Sequence, residues 1–248
     1  QWSITISEVA TKLQAEIKEG WIDDAGNSQN YNHRELDKAV AIVAAAYSAV
    51  QMKKFGNAGS LSGFQFRSAR AMLRGIYSTG QKTLAILAGT GSGKSYGFQI
   101  GSLISIVEQR LTGSLSKTHS IFLYPRVALM DDQRKSMEDL LDSCNNLLAP
   151  QQKVRWVTDG GSYLKQDYRR IIDPSLDDKN LKKTGIQKVI SKIYGDSEKC
   201  PHLVFANADT LTNRLTSHDA VVGLTSDAGK LLNNRPGTVV VGLTSINP

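Results

Sequence analysis

The segment 88–95, which reads AGTGSGKS, narrows the folds open to this chain more than any other stretch. It follows an apolar run, TLAILA at 83–88, and opens an amphipathic run, KSYGFQIGSLISIVEQRL at 94–111. A glycine-rich turn between a strand and a helix is the context in which this Walker A pattern binds phosphate. We therefore predict a parallel α/β domain that binds a nucleoside triphosphate at this turn.

The residue types of this loop suit that chemistry. Three alternating glycines let successive N–H groups turn towards phosphate oxygens, and the following helix adds the positive end of its dipole. Lys94 is predicted to act as the catalytic cation at the β- and γ-phosphates, and Ser95 to hold Mg²⁺ through its hydroxyl. The residues predicted to bind nucleotide are Gly89, Thr90, Gly91, Ser92, Gly93, Lys94 and Ser95.

Short apolar strands and long amphipathic helices alternate from residue 64 onwards. Helices are predicted at 67–77, 94–111 and 128–148, and strands at 83–88, 120–125, 154–158 and 202–208. This alternation indicates an α/β fold with a mostly parallel sheet between helices.

The remaining segments define the predicted domain limits. Residues 1–55 are predicted to form a helical region, with an N-cap at Ser7 and a second helix at 34–52. The Gly/Ser-rich stretch at 53–63 is interpreted as a linker or boundary, and the α/β region at 56–220 carries a basic insertion at about 163–200. Residues 221–248 are left unassigned, because VVGLTS occurs at both 221–226 and 240–245 and three explanations stay open: a duplicated strand, coincidence or non-adjacent pieces.

Composition restricts the partners and the compartment. A formal net charge of +7 and a pI of about 9.3 favour an acidic partner such as nucleic acid. The apolar stretches are too short to span a bilayer, and the N-terminal residues lack the pattern of a signal peptide. Two cysteines without metal-ligand spacing are typical of reduced thiols, so we expect a cytoplasmic protein.

A second motif, LYPRVALMDDQ at 123–133, indicates the class of nucleotide-binding protein. It resembles motif Ia of superfamily 2 DEAD/DEAH-type DNA helicases, matching at Tyr124, Pro125, Ala128, Leu129, Asp132 and Gln133. The resemblance implies that this is a first RecA-like motor domain, that the nucleotide is ATP and that the partner is DNA. The chemistry is consistent with this role, because a helix N-terminus after Pro125 offers free N–H groups to a phosphate and Arg126 adds a charge.

Two more elements follow in the order that the resemblance implies. VTDGG at 157–161 is similar to the glycine-pair element of these helicases, and PHLVFANADTLTNRL at 201–215 is similar to the segment carrying their motif Ic. The glycines allow a close backbone approach to nucleic acid. By resemblance, the nucleic-acid-binding residues are Pro125, Arg126, Gln133, Gly160, Gly161, Asn207, Thr210 and Arg214.

The chain departs from the helicase pattern at two points. Arg70 stands where these helicases carry an adenine-recognising Gln, with Gln65 five residues earlier, so Arg70 joins the predicted nucleotide-binding residues. No Asp-Glu pair, which would be motif II, occurs among the 248 residues, and the apolar strand expected there, within 237–248, lacks a carboxylate. We expect the motif II carboxylates and a second RecA-like domain with its arginine finger to lie outside this sequence, which alone would be a poor ATPase.

The leading interpretation is an ATP-dependent DNA helicase or translocase. Its resemblance extends to large bacterial helicases of anti-phage defence, such as those of DISARM systems, and implies further defence-complex subunits as partners. Two alternatives stay open. One is a catalytically inactive RecA-like adaptor that senses nucleotide; the other is a different P-loop NTPase, such as a kinase.

Overall fold

A computed structural model describes residues 3–19, 33–77, 84, 94–113, 118–172, 198–210 and 239–242. These residues form a mixed α/β structure, as the sequence predicts. The helices are α1 Ile6–Glu19, α2 His33–Phe55, α3 Gly63–Tyr77, α4 Lys94–Leu111, α5 Val127–Asn146 and α6 Leu164–Ile172. The strands are β1 Ser3–Thr5, β2 Ser60–Ser62, β3 Ser120–Tyr124, β4 Trp156–Asp159, β5 Leu203–Asn207 and β6 Val239–Gly242, with a 3₁₀ turn at Pro150–Gln152.

The chain divides into two compact units. The first comprises Gln1–Ser114 and Glu138–Lys153, and the second Leu115–Met137 and Val154–Pro248. In the described part of the chain, no helix combines the length and apolar character needed to cross a bilayer.

The cap of the first helix of the first unit lies two residues before the predicted one. Thr5, rather than Ser7, precedes α1: the Glu8 amide donates to Thr5 Oγ1 at 3.3 Å, and Glu8 Oε2 accepts from the Thr5 amide at 2.9 Å. This reciprocal arrangement is a capping box. Thr5 is held there because β1 pairs antiparallel with β2, with Thr5 opposite Ser60.

The predicted linker at 53–63 contains ordered structure. Its start completes α2, and β2 occupies Ser60–Ser62, where Leu61 is fully buried. Ser62 and Gln65 then form a second capping box at the start of α3, with amide-to-side-chain distances of 2.8 and 3.2 Å. One buried leucine and one cap therefore give structure to a sequence whose composition is typical of a linker.

Helices α3 and α4 approach closely through glycines. A Cβ at Gly97 would lie 2.7 Å from Ser68 Cβ, and one at Gly101 would lie 3.0 Å from the Ala69 carbonyl oxygen. The bounds of α4 agree with the predicted helix at 94–111, and its residues 97–108 are buried. Because α4 starts at Lys94, this packing fixes the helix that follows the phosphate-loop motif.

The second unit contains a parallel sheet with strand order β4-β5-β3-β6. In its register, Tyr124 of β3 lies opposite Asn207 of β5, and Asp159 of β4 lies opposite Ala206. Every residue of β4 and β5 is buried, as expected for a parallel sheet covered on both faces. The strands predicted at 120–125, 154–158 and 202–208 are thus confirmed within one or two residues, and β6 forms within the apolar stretch at 237–248.

His119, the residue before β3, is expected to make the stability of this unit depend on pH. Burial lowers the pKa of its imidazole from 6.5 to about 4. The pKa of His119 is lower in the folded state than in the unfolded state, so the neutral side chain favours folding. Its contribution to the free energy of unfolding is fully present above about pH 6.5 and is lost as the pH falls towards 4. We expect the urea midpoint to fall across this window and to fall less for His119→Gln, measured by fluorescence. Parallel pH curves for the two proteins would contradict this role.

Candidate functional site

Three strands of the parallel sheet end beside one another. β3, β4 and β5 finish at Tyr124, Asp159 and Asn207, and their parallel pairing places all three ends at one edge. Each strand leads directly into one of the segments predicted to contact nucleic acid. Ligands of open α/β sheets bind outside the carboxyl ends of the strands, so this edge is the candidate functional site.

The start of α5 forms the first part of the site. Pro125, Arg126 and the next three residues are all exposed, including Val127 at 40% and Leu129 at 38%. The first helical hydrogen bond runs from the Met130 amide to the Arg126 carbonyl oxygen at 3.0 Å. The Arg126 side chain has only donors, so it cannot cap the N–H groups of residues 127–129. Exposed N–H groups at a helix N-terminus, beside a guanidinium, favour an anion such as phosphate.

The glycine pair after β4 forms the second part. Gly160 and Gly161 have φ of 109° and 70°, a region that other residues rarely adopt. A Cβ at Gly160 would lie 3.3 Å from Thr210 Oγ1, and one at Gly161 would lie 3.1 Å from Val127 Cγ1. The turn therefore contacts both of the other segments, and the structure brings the three together.

Asn207, at the end of β5, supports this edge internally. Its Oδ1 accepts from the amides of Asp209 and Thr210 at 3.0 and 3.3 Å, and its Nδ2 donates to the Tyr124 carbonyl oxygen at 3.2 Å. Both ends of the amide are engaged, and the side chain is buried. Asn207 thus shapes the segment that carries Thr210 and joins it to the end of β3.

A buried ion network beneath the glycine pair was missed by sequence reasoning. Arg134 on α5 and Asp167 on α6 are both fully buried; Arg134 Nη2 donates to Asp167 Oδ1 at 2.5 Å, and its Nε donates to Oδ2 at 3.3 Å. Thr158 of β4 donates to Asp167 Oδ2 at 2.6 Å. The network joins α5 to the elements on both sides of the turn. The sequence does contain one indication that Arg134 is buried. Arg134 lies at helical spacing between Met130 and Met137, which are both buried, so the three residues share one face of α5.

Two arginines stack on aromatic rings around this network. The Arg134 guanidinium carbon lies 4.1 Å from the ring centroid of Tyr163, and that of Arg170 lies 3.8 Å from the ring of Trp156. Arg170 also donates to the Trp156 carbonyl oxygen at 2.6 Å. Arg170 belongs to the predicted basic insertion, and here it attaches α6 to β4.

The predicted nucleotide-binding residues are described only in part. Lys94 and Ser95 are the first two residues of α4, whereas Gly89, Thr90, Gly91, Ser92 and Gly93 lie outside the described residues. Arg70 donates through Nε to Glu16 Oε2 at 2.5 Å, which connects α3 to α1. Gln65 caps α3. Within the described ranges, no group of three or more His, Cys, Asp or Glu side chains could hold a metal ion.

Two other predicted contacts complete the comparison. Gln133 lies half-buried on α5, seven residues after Arg126. Arg214 lies outside the described residues, as do most of the strand predicted at 83–88, the basic stretch from 173 to 197 and the first copy of the repeat.

Comparison with known proteins assigns no family to this chain. No protein-family model matches this sequence, and no curated protein matches it.

Proposed function

We propose that this chain is the ATP-binding, RecA-like first motor domain of a superfamily 2 DNA helicase or translocase. One observation carries the proposal: the three segments that resemble motif Ia, the glycine pair and motif Ic meet at the carboxyl edge of one parallel sheet. These segments are far apart in the sequence, and the resemblance alone does not require them to be in contact.

The chemistry of this edge suits a phosphodiester backbone. The N–H groups of the exposed residues at the start of α5 and the Arg126 guanidinium would bind phosphates without reading bases. The glycine pair carries no side chains that would keep a strand away from the backbone. Such contacts position a strand in a sequence-independent way, which is what a translocating motor requires.

The nucleotide would bind at the loop 88–95, with Lys94 on its phosphates and Ser95 towards Mg²⁺. Hydrolysis of ATP to ADP and phosphate would supply the free energy for movement, and the second RecA-like domain, a proposed partner, would supply the arginine finger. No Asp-Glu pair occurs among these 248 residues. We therefore expect the isolated domain to bind ATP and to turn it over very slowly.

A nucleotide-sensing adaptor is the second candidate, and β6 favours it. β6 pairs in parallel with β3, with Gly242 opposite Leu123. The residues after it, Leu243 to Pro248, include no carboxylate. If this apolar strand corresponds to the motif II strand, the domain would bind ATP without cleaving it.

Salt-dependent DNA binding tests the proposed function. Arg126→Ala should reduce the slope of log K against log salt by about 1, the effect of one lost phosphate contact. Lys199→Ala is the matched control, because Lys199 is exposed, carries the same charge and lies before the amino end of β5, at the opposite edge. Fluorescence anisotropy with a labelled single strand measures both. Equal slopes for the two variants would remove Arg126 from the path.

ATP turnover of the intact protein separates the motor from its alternatives. The motor interpretation requires that single-stranded DNA stimulates hydrolysis and that Lys94→Ala abolishes it. An adaptor would bind ATP and DNA without turnover, and another P-loop NTPase would hydrolyse ATP equally well with and without DNA.

A further inference from the structure

The glycine pair is held against α5 by a residue outside the helicase-like pattern. The Ser162 amide donates to Asp131 Oδ2 at 3.1 Å, and a Cβ at Gly161 would lie 2.5 Å from Asp131 Oδ1. Asp131 lies in the second turn of α5, five residues after Arg126. Its carboxylate therefore accepts a hydrogen bond from the turn at Ser162 and occupies the space that a side chain at residue 161 would need.

This contact has a cost that folding alone does not explain. Asp131 Oδ1 is buried and has no hydrogen-bond partner within the described residues. A buried acceptor without a donor lowers stability. The carboxylate also places negative charge beside the helix start that is proposed to bind phosphate, which opposes binding. One oxygen of Asp131 is thus unsatisfied and its charge opposes anion binding, while the other oxygen holds the Ser162 amide, and this contact indicates the function of the residue.

We propose that Asp131 is a positioning residue, which holds the Gly160–Ser162 backbone at the start of α5 so that both can contact one nucleic-acid strand. The inference rests on the proposed function and assigns the residue that orders its site. In the structure, the Asp131 carboxylate joins α5 to the exposed turn directly, whereas the Arg134–Asp167 network joins α5 to the elements that flank the turn.

A pair of variants with the same charge tests the proposal. Asp131→Asn and Asp131→Ala both remove the negative charge, but only asparagine retains an oxygen that can accept from the Ser162 amide. We expect Asp131→Asn to bind single-stranded DNA at least as tightly as the original protein. Asp131→Ala should bind about fivefold more weakly than Asp131→Asn, the effect of one neutral hydrogen bond.

Amide hydrogen exchange provides a readout that needs no DNA. Exchange at Ser162 should be faster in Asp131→Ala than in Asp131→Asn, with β4 and β5 equally protected in both. If Asp131→Ala also loosens the strands, Asp131→Ser replaces it, because the shorter hydroxyl cannot span the same distance. Equal exchange at Ser162 would overturn the contact.

The remaining outcomes distinguish this inference from the proposed function. Faster exchange with equal DNA affinity for the two variants would overturn the positioning role while leaving the proposed function intact. A protein that showed no salt-dependent DNA binding would fail the proposed function, and the positioning role would fail with it.

Discussion

Replacing Asp167 by Ala is expected to lower the free energy of unfolding by about 3–5 kcal/mol, the usual cost of breaking a buried ion pair from one side. Arg134 has no exposed surface and donates to Asp167 through two nitrogens. Without the carboxylate, its charge stays buried and the Thr158 hydroxyl loses its acceptor. Urea denaturation at pH 7 measures the change.

Two further variants identify the origin of that loss. Lys38→Ala breaks an ion pair to Glu35 whose lysine side chain is 47% exposed, and it should cost less than about 0.5 kcal/mol. Arg134→Met combined with Asp167→Leu removes both charges, so it should be less destabilised than Asp167→Ala alone. If the free energy of unfolding of Asp167→Ala lay within about 1 kcal/mol of that of the unaltered protein, the network would not stabilise this unit as described.

Gly161→Ala is expected to lower the free energy of unfolding by about 2–4 kcal/mol. About 1 kcal/mol comes from placing alanine at φ of 70°. A further 1–3 kcal/mol comes from overpacking against Asp131 and Met130, since the new Cβ would lie 2.5 Å from Asp131 Oδ1 and 2.8 Å from Met130 Cε. The same denaturation experiment measures the total.

Gly56 provides a matched control for the backbone contribution. Its φ is 71°, and a Cβ there would meet nothing within 4 Å. Gly56→Ala should therefore cost only about 1 kcal/mol, and the difference between the two variants isolates the contact with α5. Equal costs would show that the glycine pair is not packed against the helix.

The elements with strong local signals were predictable from sequence. α4 has the predicted bounds because a motif precedes it and apolar residues continue through it. β3 and β5 are mostly apolar runs next to amphipathic helices, so their parallel pairing could be expected. The cap at Thr5 was missed although the sequence carries its signal: Glu8 follows Thr5 by three residues, as a capping box requires, whereas Ala10 follows Ser7 by the same distance.

The candidate site was predictable as a set of segments but not as a set of contacts. The carboxyl ends of parallel strands meet at one edge by construction, so the glycine pair and the start of α5 could be placed together. The sequence does not indicate that Asp131 accepts from the Ser162 amide or that Arg134 pairs with Asp167. Both contacts depend on tertiary packing between residues far apart in the chain. The contacts of Asn207 were equally unpredictable from its residue type. An asparagine at this position suits a phosphate contact, but its amide joins two backbone segments in the structure.

The strand order also determines when the site can form during synthesis. Among the described strands, β4 pairs with β5 alone, and β5 lies between β4 and β3. The glycine pair directly follows β4, so it leaves the ribosome well before Leu203–Asn207, the segment that joins β4 to the sheet. The edge proposed to bind nucleic acid therefore cannot be assembled on a nascent chain until β5 has emerged, because its formation requires strands far apart in the sequence to pair first.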